Sequence, residues 1–388
     1  MNTMSEIQTI IDSCIGCGIC TEDCDFLSKY GAGPKELAEH FRENSYSDDP
    51  IIPYSCNLCG LCEVRCPEGL NVGKMIFEIR EEMVNAGRAP LPRHTPIKEI
   101  QQFYISDEIR VTLPAPGKEK AQFLFFPGCA LSAYSPDLVL QTYEHICKSL
   151  PETGIMLGCC GGPVYLLGDT GTATKIEDGI AEDFRRMGAT GIITACPYCY
   201  QLLKMNRPEL NPISLYTILE EIGIPAQKSA HHAPYTIHDP CSTRNERGIQ
   251  ESARVLLRQS GHEFIETGHS GRTTHCCGMG GMVYAANAEV GAAKTRRTIE
   301  EAKGEIVTYC ATCRETIAGQ KGQIVHLLDL IFNPAWKAAG QVPPKDPQIA
   351  KENLRSLKKK LVALSTKKAV QKKTPSKKKP GKIRGNLT

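Results

Sequence analysis

Long apolar runs are missing from this 388-residue sequence. The longest, around Ala121 to Ala133, is broken by Gln122, Pro127 and Gly128 and falls well short of the ~20 residues a membrane span needs. Any membrane association is therefore expected to be peripheral. The opening MNTMSEIQTIID carries acids at Glu6 and Asp12, with no basic segment and no small-residue cleavage site. That argues against a secretory signal and for a cytoplasmic location. Aromatic residues are scarce, at 6% with a single Trp, and no basic stretch is interleaved with them, so specific recognition of nucleic acid is not expected. No G-x-G-x-x-G follows a strand-like run, which removes the simplest signature of a dinucleotide or flavin site.

What the chain has in excess is cysteine, 19 residues in all. In a reducing compartment, clustered thiols read as metal ligands or redox groups rather than disulfides. Eight lie upstream of a proline-punctuated connection marked by Pro92, Pro96, Pro114 and Pro116, and eleven lie downstream. The expected organisation is a module over 1–95, a linker over 96–120, two halves over 121–230 and 231–336, and a basic tail over 337–388. That tail holds 16 Lys or Arg against Asp346 and Glu352 and leaves the rest of the chain at net −11. Its Lys, Pro and Ser content predicts a largely disordered segment, with a short helix over Pro347 to Leu364 and disorder in the last ~30 residues. An anionic membrane surface or an acidic partner suits such a tail.

In the first module, Cys14, Cys17, Cys20 and Cys24 form C-x2-C-x2-C-x3-C, and Cys56, Cys59, Cys62 and Cys66 repeat it. This is the bacterial ferredoxin run for two cubane [4Fe–4S] clusters, in which the fourth cysteine of each run serves the other cluster. On that rule Cys14, Cys17, Cys20 and Cys66 form one ligand set and Cys56, Cys59, Cys62 and Cys24 the other. Zinc sites instead pair two separated C-x-x-C elements. The second run is followed by Pro67, whereas the first has Asp25 in that place. Apolar periodicity in this segment is confined to Val72–Ala86, so the module is expected to be small, helical and held together by its ligands.

From Ala121 the pattern is strand, turn, helix, repeated, which predicts α/β architecture. Phe123-Leu124-Phe125-Phe126 runs into Cys129, and Tyr235-Thr236-Ile237-His238 runs into Cys241. Gly191 to Thr194 leads to Cys196 and Cys199, and Glu305 to Thr308 leads to Cys310 and Cys313. The separations from Cys129 to Cys196 and from Cys241 to Cys310 are 67 and 69 residues, and each half carries a vicinal pair, Cys159-Cys160 or Cys276-Cys277. An internal duplication follows. The cysteines sort into two sets of five, Cys129, Cys159, Cys160, Cys196, Cys199 and Cys241, Cys276, Cys277, Cys310, Cys313. Five thiols exceed what zinc or an ordinary cubane uses, and adjacent cysteines suit a larger or irregular cluster. Cys147 is left over and reads as a small buried hydrophobe.

This arrangement resembles the cysteine-rich CCG domain of the B-type and D-type subunits of heterodisulfide reductase and of iron–sulfur subunits in glycolate, lactate and anaerobic glycerol-3-phosphate oxidation. With the N-terminal ferredoxin runs, the layout is similar to the D-type subunit, a fusion of the C-type and B-type subunits. The resemblance implies a non-cubane [4Fe–4S] cluster on each five-cysteine set. It also implies reduction of a disulfide, or the reverse, with electrons relayed through the two cubanes. The implied partners are a small thiol or disulfide substrate and an electron-donor subunit: a cytochrome b-like membrane protein, a flavoprotein or a hydrogenase. Peripheral contact with the inner face of the membrane is then a natural role for the tail. The alternative is an electron-transfer subunit of a flavin-dependent 2-hydroxy-acid or glycerol-3-phosphate dehydrogenase complex. His238 and His275, beside Cys241 and Cys276, are candidate catalytic proton donors. Asp239 adjoins the first of them, and Arg244, Arg247 and Arg272 are candidates for holding an anionic substrate. The segment around His326 to Leu330 reads as core.

Overall fold

The computed structural model describes residues 5–31, 33–44, 49–226, 233–333 and 346–373. Helices Glu6–Ser13, Pro34–Asn44 and Val72–Asn85 build the N-terminal module, and the α/β pattern begins after it. The module is not held by its thiols alone. Ile7, Ile10, Phe26, Leu37, Phe41, Met75, Ile76 and Ile79 make an apolar core that continues into Leu167 and Val283 of the two later halves. The first two of these helices are amphipathic over so few turns that their periodicity is faint in the sequence.

The expected linker is structured. Thr95–Ile105 is a helix, with Pro96 in its first turn where a missing amide hydrogen costs nothing. After it, β1 (Val111–Leu113) pairs antiparallel with β3 (Thr153–Leu157) at the edge of the first sheet. The other strands of that sheet are β2 (Phe123–Phe126), β4 (Gly191–Thr194) and β5 (Pro212–Ser214), in the order β1-β3-β2-β4-β5. The second sheet holds β6 (Tyr235–His238), β7 (Phe264–Ile265), β8 (Ile306–Thr308) and β9 (Ile324–His326), in the order β7-β6-β8-β9. With β1 set aside, the two orders are the same and every pairing is parallel. The duplication inferred from cysteine spacing is therefore present in the topology.

The two halves pack on each other through reciprocal helix contacts. The last helix of the first half, Leu215–Ile222, lies on the first helix of the second, Arg247–Gln259, while Leu327–Phe332 of the second half lies on Pro136–Ser149 of the first. One continuous core results, running from Phe125, Ile193 and Leu219 to Ile237, Val307 and Leu328.

The helix expected over Pro347 to Leu364 is present and runs on to Lys373, 27 residues in all, into the stretch whose composition predicts disorder. Ala350, Leu354, Leu357 and Leu361 are spaced along one face, and all four are buried. They pack on Cys129–Tyr134 and Pro136–Ser149, and Asn353 donates to the Ala133 carbonyl at 2.8 Å. A stripe of four apolar residues among many lysines is diluted in any compositional average, yet it suffices to dock a helix. Residues 374–388 lie outside the described residues.

At the junction of module and body, Arg80 stands over the Tyr54 ring at 4.8 Å and His94 meets the same ring edge-on at 4.6 Å. Burial, with Arg80 nearby, pushes the His94 imidazole down to about 4.

Two outcomes are expected. Leu357→Ala destabilises the fold by about 2–5 kcal/mol through lost burial and a residual cavity, read as a lowered thermal midpoint of the anaerobic protein, whereas Lys359→Ala on the exposed face leaves the midpoint unchanged. His94 is neutral when folded and titrates near 6.5 when unfolded, so its stabilisation is complete above that value and is lost as pH falls toward about 4. Wild-type protein should lose more stability between about pH 7 and 5 than His94→Gln does, by denaturant titration at each pH.

Candidate iron–sulfur centre

Cys14, Cys17, Cys20 and Cys66 line one cavity of the module, with Gly16 and Gly18 bending the backbone around it. Cys24, Cys56, Cys59 and Cys62 line a second. The fourth cysteine of each run thus sits with the first three of the other. Burial pushes the Cys20 thiol up to about 11 and the Cys56 thiol up to about 12. Four crowded thiols per cavity, none of them in a disulfide, form a donor set that fits a four-iron cluster.

The first five-cysteine set is linked thiol to thiol. Cys129 and Cys159 are 3.7 Å apart, and Cys159, Cys160, Cys199 and Cys196 follow in hydrogen-bonding contact. The second set mirrors it: Cys241 and Cys276 are 4.0 Å apart, with Cys277, Cys313 and Cys310 next in turn. The cysteines arrive there because β2, β4, β6 and β8 all end at the same edge of their sheets, where parallel α/β folds collect functional groups.

Two further contacts join these groups. Cys59 of the module touches Cys276 of the second half. Cys310 of the second half donates to Cys196 of the first, and that contact, after the one from Cys199, holds the Cys196 thiol well below its ordinary value. Behind the second junction, the Tyr216 hydroxyl lies 3.2 Å from the Ala195 carbonyl and 2.6 Å from that of Tyr309, the residues preceding Cys196 and Cys310. The thiols therefore form a continuous path from the module through the second half to the first.

The path depends on close docking of the module. Asn57, between two module cysteines, donates to the Gly278 and Gly280 carbonyls at 2.7 and 3.1 Å. A β-carbon on Gly280 would clash with the Asn57 carbonyl oxygen, and one on Gly281 with the Cys56 carbonyl oxygen. The glycines after Cys277 thus admit the module's backbone, a role the sequence does not separate from packing against a cluster. Asp25, standing where the second run has proline, pairs with Lys294 at 3.4 Å and Arg297 at 3.1 Å. Although burial opposes it, these cations hold the Asp25 carboxyl below its ordinary value.

The remaining sequence candidates lie around the second half and on the first. Arg244 is not free for an anion: it donates to the carbonyls of Cys59, Arg272 and Thr274 at 2.9, 2.5 and 2.7 Å. Asp239 is spent on Arg254, the Tyr309 hydroxyl and the Gly271 amide. Arg247 and Arg272 line an open groove that also holds Glu251 and Glu266. His238 and His275 line a small cavity with His269 and Glu301, on the module side of the second half. Burial pushes His238 down to about 4, so at neutral pH it carries no charge to donate as an acid. Cys147 is half-buried in Pro136–Ser149, facing the Thr153 carbonyl at 3.7 Å.

Sequence reasoning missed a buried polar group flanking the junction of the two halves. Tyr134 donates to Asp329 at 2.6 Å and stacks under Arg314 at 4.6 Å, and His326 lies near both Arg314 and Cys196. Arg314 follows Cys313 directly, and that adjacency was the available signal. It also missed Lys294, which lines the Cys24 cavity while only 1% exposed and donates to the Asp23 carbonyl at 2.9 Å. Burial works against its charge, but Cys24, Cys59 and Asp25 hold its pKa above the ordinary value.

A polypeptide that threads this many thiols into one path is an iron–sulfur protein of electron transfer. Residues 13–71 match the 4Fe-4S dicluster domain, and residues 123–204 and 235–318 each match the CCG cysteine-rich domain. The chain thus joins a 4Fe-4S dicluster domain to a duplicated CCG cysteine-rich domain, a layout similar to that of the D-type subunit of heterodisulfide reductase. It is 24% identical to the D-type subunit of the dihydromethanophenazine:CoB–CoM heterodisulfide reductase of Methanosarcina barkeri, over 79% of this chain and 88% of that one. It is 26% identical to the B-type subunit of the fumarate reductase (CoM/CoB) of Methanothermobacter marburgensis, over 78% of this chain but only 66% of that one. It is 22% identical to the glycolate oxidase iron–sulfur subunit of Escherichia coli, over 84% of this chain and 94% of that one. Among the described residues, no helix is long and apolar enough to cross a membrane.

Replacing Lys294 by Gln removes a buried positive charge beside Cys24 and Cys59, which should favour the oxidised state of a cluster held there. The expected result is a reduction potential lower by on the order of 60 mV, tenfold in a one-electron equilibrium, read by EPR-monitored redox titration against the wild type.

Proposed function

We propose that this protein reduces, or in reverse forms, a small-molecule disulfide at the junction of its two cysteine-rich halves. Two complete five-cysteine sets meeting at Cys196 and Cys310 carry this reading. In the same reading, Cys14, Cys17, Cys20 and Cys66 hold one cubane, Cys24, Cys56, Cys59 and Cys62 hold a second, and each five-cysteine set holds a non-cubane four-iron cluster. When bound, such clusters supply electrons singly.

A disulfide takes up two electrons and two protons as it becomes two thiols. An S–S bond lodged against the Cys196–Cys310 contact meets one cysteine set from each half, so each half furnishes one of the two electrons. The chain's own contribution is positional. Tyr216 holds the Ala195 and Tyr309 carbonyls together, and Tyr134, Arg314, His326 and Asp329 form the polar wall next to the junction. The module's docking at Asn57 and Arg244 brings Cys59 to Cys276 and so joins the donor side to the second half. The donor is another subunit, a cytochrome b-like membrane protein, a flavoprotein or a hydrogenase.

The match across 94% of the glycolate oxidase iron–sulfur subunit favours a second reading. In it the same path carries electrons from a flavin-dependent 2-hydroxy-acid or glycerol-3-phosphate dehydrogenase, and the junction has no substrate of its own.

EPR of the anaerobically purified, oxidised protein titrated with a panel of thiols separates the two. Disulfide chemistry predicts a new paramagnetic signal induced by a particular thiol and lost in Cys310→Ser, with iron near the ~16 atoms of four four-iron clusters. Silence toward every thiol in a fully loaded sample that still exchanges electrons with quinone analogues would establish the relay reading instead.

A further inference from the structure

Beside the thiol path lies a second constellation that the cysteine chemistry does not use. Asp23 immediately precedes Cys24, and His275 immediately precedes Cys276, so two donors are carried to one place by the backbones that carry the thiols. His269 joins them from the loop after β7. One donor atom from each of the three lies within 4.8 Å of the others.

Each donor is oriented from behind. The His269 and His275 rings stack with centroids 3.9 Å apart and 20° between their planes. Both present Nδ1 to the same oxygen, Oε1 of Glu301, at 3.1 Å and 2.8 Å. Glu301 accepts from His269 Nδ1, which fixes the tautomer of that ring with Nε2 unprotonated, while His275 Nδ1 faces the same oxygen as an ion pair without hydrogen-bond geometry. The His269 Nε2 is 4.0 Å from Asp23 Oδ1, too long for a hydrogen bond but suitable for two ligands of one ion. The other Asp23 oxygen is held by Arg65 Nε at 2.9 Å, leaving Oδ1 as a single-oxygen donor. Finally, His275 is 2% exposed and neither of its ring nitrogens has a hydrogen-bond partner. An orphaned buried imidazole nitrogen is costly unless something takes its lone pair.

We propose that Asp23, His269 and His275 bind one divalent transition-metal ion through Oδ1, Nε2 and Nε2, with Glu301 and Arg65 as the supporting shell. Two imidazoles and one carboxylate suit zinc or ferrous iron, and three protein ligands leave a position for water. Metal–donor distances of about 2.0–2.2 Å require the three groups to draw together by about an ångström. The bound ion lies next to the contact between Cys59 and Cys276, where its charge favours the reduced state of whatever the thiols hold.

Because iron at this site is masked by cluster iron, zinc is the probe. One equivalent of Zn²⁺ is added to the anaerobic, cluster-loaded protein, and the zinc K-edge absorption is recorded with zinc and iron counted on the same sample. The expected shell contains imidazole nitrogen and carboxylate oxygen without sulfur. His269→Ala, a part-exposed and tolerant position, should weaken zinc binding at least about tenfold with cluster iron unchanged, and Glu301→Gln should weaken it about 10–100-fold through the lost supporting shell. Sulfur in the zinc shell, no retained zinc, or full affinity in His269→Ala would each overturn the proposal.

Discussion

The architecture depends on one buried cation. Arg80 is fully buried in helix Val72–Asn85, and its guanidinium donates to the carbonyls of Pro53 and Cys56 in the module, Leu166 in the first half and Gly281 in the second. Three separately built units thus converge on one planar group whose donors are fixed in direction. Burial lowers the Arg80 pKa only to about 10, so the charge is retained at neutral pH. Burying a cation is tolerable only when hydrogen bonds satisfy it, and removing its partners leaves a penalty of several kcal/mol, on the order of 3–5. The mutual placement of the units is therefore strongly specified.

That placement is what electron transfer requires. The Cys56 loop, held through its carbonyl by Arg80 and through Asn57 by the Gly278–Gly280 segment, delivers Cys59 to Cys276. The duplicated sheets then place Cys310 against Cys196 by symmetry. A thiol path across three units needs both docking surfaces in register, and the glycines at 280 and 281 are where a single β-carbon would break it.

Two charged groups that the sequence places beside the second cysteine set serve as struts. Arg244 and Asp239 are saturated by backbone and side-chain partners. In contrast, Lys294 and the Tyr134–Asp329–Arg314 group, unremarked in the sequence, lie against the cysteine cavities. Chemical type alone does not tell a strut from a group that faces a cysteine cavity, because both are partnered and only their position in the fold separates them.

The sequence by itself determined the sets of thiols and the duplication, because short-range spacing such as C-x2-C-x2-C-x3-C is a local property and the Cys129–Cys199 pattern recurs as Cys241–Cys313. It also determined that β2, β4, β6 and β8 deliver cysteines at their ends, since an apolar run followed by Pro, Gly or Cys is read within a few residues. The docking of the tail helix and the module's apolar core were harder to read, because Ala350, Leu354, Leu357 and Leu361 show their role only once the surface they cover exists. Only the tertiary structure decided the order of the thiol path, the partners of Arg80 and the meeting of Asp23 with His269 and His275. Each of these joins residues distant in the chain, and such contacts are set by the packing of finished units rather than by any local preference.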